Sequence, residues 1–315
     1  MVSLRHHVIS LAAVFLALAI GVVLGSGLLS DAVSGVPGLR ADRSDLHGEV
    51  RALEDQNKAL NDKLAAADQF DAQMSGRIVR DALAGKSVAL FRTTDAADED
   101  VEAAARLIGQ AGGTVSATIT LTEEFVSGDA ADKLGSVVNS PILPAGAQLG
   151  AGSDPVAQAG ELIGAALLIN RDPQIAPVDD EARSTVLTAM RDTGFLSYDP
   201  GGRIGPADTA MIITGGALPA DAGNRGVTVA RFAAGLAPHG SGIVLAGRDG
   251  SASGVSAVAV ARSEPATAEA VTTVDDIGAE SGRITAVLAL QSMVAGVPPG
   301  RYGVGAGAAS VTVPQ

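Results

Sequence analysis

The 315 residues carry 35 acidic against 22 basic side chains, for a net charge of −13 and a pI near 4.6. That balance, without any basic run, excludes a nucleic-acid partner, whose phosphates need clustered Lys and Arg. The absence of Cys excludes disulfides, thiolate metal sites and cysteine nucleophiles together. Any folded domain must then be held by its core alone, and the chain beyond residue 80 is long enough to bury one.

Residues 8–30 contain no charged side chain and form an apolar run of transmembrane length. Arg5 precedes the run with His6 and His7, and Asp31 follows it, which predicts a cytoplasmic N-terminus and an extracytoplasmic remainder. Gly25-Ser26-Gly27 also fits a signal-peptidase site, but the apolar core is longer than the roughly 7–15 residues of a signal h-region. Residues 1–30 are therefore read as an uncleaved anchor and residues 31–38 as a linker. Small residues recur at every fourth position, Ala13, Ala17, Gly21 and Gly25, and the last two form a GxxxG motif that permits close helix pairing.

A heptad series then predicts a coiled-coil stalk over residues 39–80. Leu39, Leu46, Leu53 and Leu60 fall at d, with Ala67 and Met74 continuing the series. Val50, Asn57 and Leu64 fall at a, so that the best seam is Leu46, Val50, Leu53, Asn57, Leu60 and Leu64. Asn at an a position costs stability but fixes register and favours a parallel pair. Two chains anchored by the same end would also run parallel, so the stalk predicts a parallel homodimer or a higher oligomer. Lys63 would face Asp68 of the second chain, whereas Glu49 would face Glu54. The competing reading is an amphipathic helix packed on its own domain.

Residues 85–315 read as an extracytoplasmic α/β domain, Rossmann-like, with a mostly parallel sheet. Strands are expected at residues 87–91, 114–121, 195–198, 210–214, 243–246 and 255–260, with a further one at 310–313. Helices are expected from Asp98 to the Gly112-Gly113 stop, then at residues 123–138, 155–169, 180–192 and 283–294. The alternation of strands and helices places helices on both faces of the sheet.

Two glycine turns follow predicted strands, Thr214-Gly215-Gly216-Ala217 and Ala246-Gly247-Arg248-Asp249-Gly250. Neither has the spacing of a phosphate-binding fingerprint, and both read as turn glycines. Asp275-Asp276 reads as a helix cap or solvated acidic loop, with cation binding alongside Glu280 as the alternative. Arg248-Asp249 reads as a local ion pair, and Pro238-His239-Gly240 as an exposed loop. There is no G-x-S-x-G or H-E-x-x-H pattern, so no enzyme is expected. A soft transition metal would need thiolate, thioether or imidazole ligands. Met74, Met190, Met211 and Met293 sit in apolar stretches and read as core or seam filler, and His6-His7 reads as a topology signal. No metal ligands or bound cofactor are assigned.

The block SLRHHVISLAAVFLALAIGVVLGSGLLSD at residues 3–31 is distinctive, as are VVNSPILPAG at 137–146, ARFAAGLAP at 230–238 and LAGRDGS at 245–251. With GRIVRDAL at 76–83 and the pair VDDI and GRIT near residues 274 and 282, the whole chain resembles the mycobacterial copper transport protein B family. The resemblance implies an actinobacterial cell-envelope protein of copper efflux, with copper as the transported ion, and an outer-membrane pore. A related corynebacterial branch implies a second role, as a membrane-anchored scaffold that recruits or activates a peptidoglycan hydrolase or division protein in cell separation. It carries no catalytic or metal-binding residues to these positions. An outer-membrane barrel needs many strands of about ten alternating residues with aromatic girdles, whereas aromatics are 3% of this chain. A conduit would have to come from oligomerised N-terminal helices.

Overall fold

The structure, a computed structural model, describes residues 37–144, 149–150, 154–199, 201–202 and 204–314. The chain divides into two compact units, with the boundary between Ala67 and Asp68. The described part of the first unit is helical, belonging to the 42-residue helix α1 (Pro37–Ile78). Seam residues Leu46, Val50, Leu53, Leu60 and Leu64 are 50–67% exposed, and Asn57 is exposed with them. Among the described residues no helix is long and apolar enough to cross a membrane. The expected anchor, with Ala13, Ala17, Gly21 and Gly25, lies outside the described residues.

The second unit is a three-layer α/β fold. After α1 come β1 (Ser87–Arg92), α2 (Asp98–Gln110), β2 (Thr114–Leu121), α3 (Glu123–Val126), α4 (Ala131–Val138), α5 (Pro155–Leu167) and α6 (Asp180–Asp192). They are followed by β3 (Leu196–Ser197), β4 (Thr209–Thr214), α7 (Arg225–Leu236), β5 (Ile243–Gly247), α8 (Ala257–Ser263) and α9 (Pro265–Ala270). The unit closes with β6 (Thr272–Val274), α10 (Glu280–Val294) and β7 (Arg301–Tyr302). The sheet order is β3-β2-β1-β4-β5-β6-β7. Every pairing is parallel except the antiparallel edge strand β3.

Strand β4, Thr-Ala-Met-Ile-Ile-Thr, is buried along its whole length, as a central parallel strand covered on both faces must be. Alternate residues feed two cores. Phe91, Ile212 and Leu245 face α3 to α8, while Leu90, Met211, Ile213 and Val244 face α2, α10 and the turn after α1 at Val79 and Leu83. Phe232 links the first core to Phe91 and Phe125 through edge-to-face contacts at 5.4 and 5.2 Å between ring centroids. The helix starts follow from local chemistry. Asp154 accepts from Val156 N at 3.1 Å with Pro155 in the first turn, and Asp179 accepts from Ala182 N at 2.8 Å.

Several expected elements are corrected. The helix expected at 123–138 is two helices, because Gly128 at φ +75 breaks the chain between α3 and α4. Residues 255–260 hold the start of α8, not a strand. Val-Ser-Ala-Val-Ala-Val alternates, but burial of Ala257, Val258, Ala261 and Arg262 follows a helical period. The helix expected to reach 169 stops at Leu167, since Leu168 bridges Ala207. α10 starts at Glu280, three residues before its expected start. Residues 310–313 form no strand and contribute one bridge, from Ser310 to Tyr302. Helices α7 and α9 and the short strands β6 and β7 were not expected.

Candidate functional site

In an open α/β sheet, ligands bind beyond the carboxyl ends of the strands, at the point where strand order reverses. Here that point lies between β1 and β4. The two glycine turns meet there, with Arg248 N donating to Gly215 O at 3.1 Å. A side chain at Gly215 would strike Asp95, and one at Gly216 would come within 2.7 Å of Asp249 O. The turns are glycine-rich because loops pack closely against them.

Beside this point the carboxyl edge carries an alternating ion-pair network. Asp100 is fully buried and accepts from Arg248 Nε at 2.5 Å and Arg283 Nη2 at 2.8 Å. Glu280, 1% exposed, accepts from Arg106 Nη2 at 3.1 Å and Arg283 Nη1 at 3.4 Å. Arg248 also pairs with Glu99. Hydrogen bonds to Asp100 and Glu99 raise the Arg248 pKa above the usual arginine range. The expected Arg248-Asp249 pair is thereby corrected: the guanidinium reaches across to α2. The network extends to the base of α1. No side chain of the Ala279 cap satisfies the α10 N-terminus, and Asp68 Oδ1 accepts from Glu280 N at 2.6 Å instead.

The Asp275-Asp276 pair is neither a cap nor a solvated loop. Asp275 is 1% exposed and receives Arg262 Nη1 at 2.6 Å, Val304 N at 2.8 Å and Gly305 N at 3.0 Å. Arg262 further donates to Thr273 Oγ1, Tyr302 O and Ala306 O, tying the C-terminal segment to β6. Burial, with Asp275 alongside, pushes the Asp276 carboxyl up to about 6. Asp276 Oδ1, Ser251 Oγ and Arg283 Nε are buried without a hydrogen-bond partner. Glu280 is committed to Arg106 and Arg283, so the cation alternative is not assembled.

His239 is also corrected. It is half-buried in a 3-10 turn against Gly164. Burial lowers its pKa, and Glu161 works against that shift. Met190, Met211 and Met293 are core residues, as their apolar surroundings predicted, the first in one core and the other two in the second. Among the described residues no group of three or more His, Asp or Glu side chains could hold a metal ion. His6 and His7 lie outside the described residues.

A second feature lies at the base of α1. Asp71 and Ile78, with Ile284 and Leu288 of α10 and Val311 and Val313 of the C-terminal segment, line an open groove of ≈ 830 Å³. Sequence reasoning missed this groove and the ion-pair network, because both assemble from positions more than a hundred residues apart. Only the alternation of charge at Glu99, Asp100, Arg248 and Arg283 could have signalled the network, and nothing local pairs those residues.

Comparison with known proteins places the chain. Residues 1–313 match the family described as "Copper transport outer membrane protein, MctB". The chain belongs to the MctB family. A protein of Mycobacterium bovis named "Copper transporter MctB" is 56% identical over 316 residues, covering both chains completely. The protein of that name from Mycobacterium leprae is 56% identical over 319 residues, again covering both chains completely.

Proposed function

We propose that this chain serves copper transport in the cell envelope, contributing to copper export and resistance as a membrane-anchored, non-catalytic protein. The observation that carries this reading is the full-length similarity to relatives named copper transporters. The chemistry of the α/β unit supports a structural part in that task. The buried carboxylates Asp100, Glu280 and Asp275 are all paired with arginines, and Met190, Met211 and Met293 fill the cores. Copper is the cargo of the transport system in this reading. The apolar run at residues 8–30 serves as anchor, and the exposed α1 seam pairs two chains in parallel, so that any conduit arises from association of N-terminal helices.

The test is cell-associated copper in a deletion strain under copper load. Excess copper that the intact gene returns to the wild-type level supports the reading. Unchanged copper in the deletion strain sinks it.

The exposed seam favours a second reading, a dimeric scaffold that recruits or activates a cell-wall hydrolase in cell separation. This reading expects unsplit septa in the deletion strain. Normal septation there would remove it.

A further inference from the structure

The lower turns of α1 show different neighbours on different faces. In the heptad register that puts Leu60 at d and Leu64 at a, Asp68 and Ser75 fall at e, Val79 at b, Phe70 and Arg77 at g, and Asp71 and Ile78 at a. The e positions face the α/β unit: Ser75 is fully buried and Asp68 caps Glu280 N, and Val79, just past the end of α1, is buried as well. The a and g positions do not. Ile78 is 47% exposed and Phe70 is 62% exposed. Phe91, Phe125, Phe195 and Phe232 are buried to within 1%, so Phe70 is the exposed phenylalanine among the described residues.

The ≈ 830 Å³ groove lies on this same stretch of helix. Its α1 wall is Asp71 and Ile78, which bracket Ser75, and its opposite wall is Ile284 and Leu288 of α10. Val311, 59% exposed, closes one side. In a parallel two-stranded coil, the g residue of one helix lies across from the e residue five positions on in the other. The residue opposite Ser75 is therefore Phe70 of the second chain. The register thus sets a largely exposed ring across from a groove whose walls carry Ile78, Ile284, Leu288 and Val311.

We propose that Phe70 of a second copy of this chain fills the groove between α1, α10 and the C-terminal segment, and that the two-fold axis makes the contact reciprocal. The inference rests on the parallel pairing proposed above and deepens it: the interface continues from the coiled coil onto the α/β unit. It is absent from a simple zipper, in which g positions contact only the facing helix.

The test uses the full chain in detergent micelles, and the natural lack of Cys makes engineered probes unambiguous. First, Asn57→Cys reports on pairing, because facing a positions in a parallel pair come within disulfide reach. Second, Phe70→benzoyl-phenylalanine is photolysed in a mixture of light and heavy-isotope chains. The expected adducts join position 70 of one isotope to residues 284, 288, 311 or 313 of the other. Phe70→Ala is expected to weaken the dimer at least tenfold in sedimentation while leaving thermal unfolding of the α/β unit unchanged. A disulfide at Asn57→Cys without the mixed-isotope adduct would overturn the groove contact and leave the pairing intact. No disulfide at Asn57→Cys would overturn both.

Discussion

Arg262 and Asp275 are tightly constrained charges of the α/β unit. Each is nearly sealed from solvent, and between them they satisfy Thr273 Oγ1, two backbone N–H groups and two carbonyls of the C-terminal segment. Removing one partner leaves a buried charge unpaired, which costs about 3–5 kcal/mol. Arg262→Met should therefore lower the urea midpoint sharply, whereas Arg262→Met with Asp275→Leu should recover part of the loss. A single variant as stable as wild type would refute this account of the pair. Asp276 behaves in the opposite sense. Its folded pKa, about 6, lies above the roughly 3.9 of an unfolded aspartate. The folded state therefore binds the proton more tightly. That contribution is full below about pH 4 and is lost as pH rises through 6. Asp276→Asn should stabilise the protein at pH 7 by on the order of 2 kcal/mol, with the gain fading by pH 4. Denaturant titrations at several pH values measure it, and a pH-independent difference would refute the titration.

Among the elements, α5 and α7 form the tightest crossing. A Cβ on Gly235 would sit 2.2 Å from Ala157 O, and one on Gly160 would sit 2.5 Å from Phe232 O. The helices touch backbone to backbone, so Gly235→Val should cost about 1–3 kcal/mol through forced separation. A thermal scan checks it, and an unshifted midpoint would show that the crossing can relax. Much of the element pattern was legible from residues. β2 and α6 start and stop where they were expected, at residues 114–121 and 180–192. α7 was not legible: its Gly226 and Gly235, with β-branched Val and Thr between, contradict helix propensity and make sense only against α5 and Val255 O. β6 and β7 were hidden for a related reason, since strands of three and two residues carry no period.

At the scale of the whole molecule, the candidate sites were less legible than the fold. The glycine turns, Asp275 and Arg248 were each visible as residues, but their partners lie on α2, α8 and the C-terminal segment, which only topology supplies. The seam was different, because a heptad is local. Leu46, Val50, Leu53, Asn57, Leu60 and Leu64 could be named before any partner was known, and the described helix leaves them exposed. In the proposed pair, burying such a stripe is worth roughly 1.5–3 kcal/mol for each fully covered Leu or Val. Asn57→Leu should tighten the association while loosening its two-chain, parallel specificity. Sedimentation equilibrium should show species above the dimer for that variant, and an unchanged dimer would argue against Asn57 at the seam.

The central claim is that copper export depends on two chains paired through α1. The direct measurement is cell-associated copper under copper load in a deletion strain carrying either the intact gene or the Asn57→Pro, Leu60→Pro variant at equal abundance. The account predicts wild-type copper with the intact gene and the excess of the deletion strain with the broken helix. Equal, wild-type copper in both strains would contradict it.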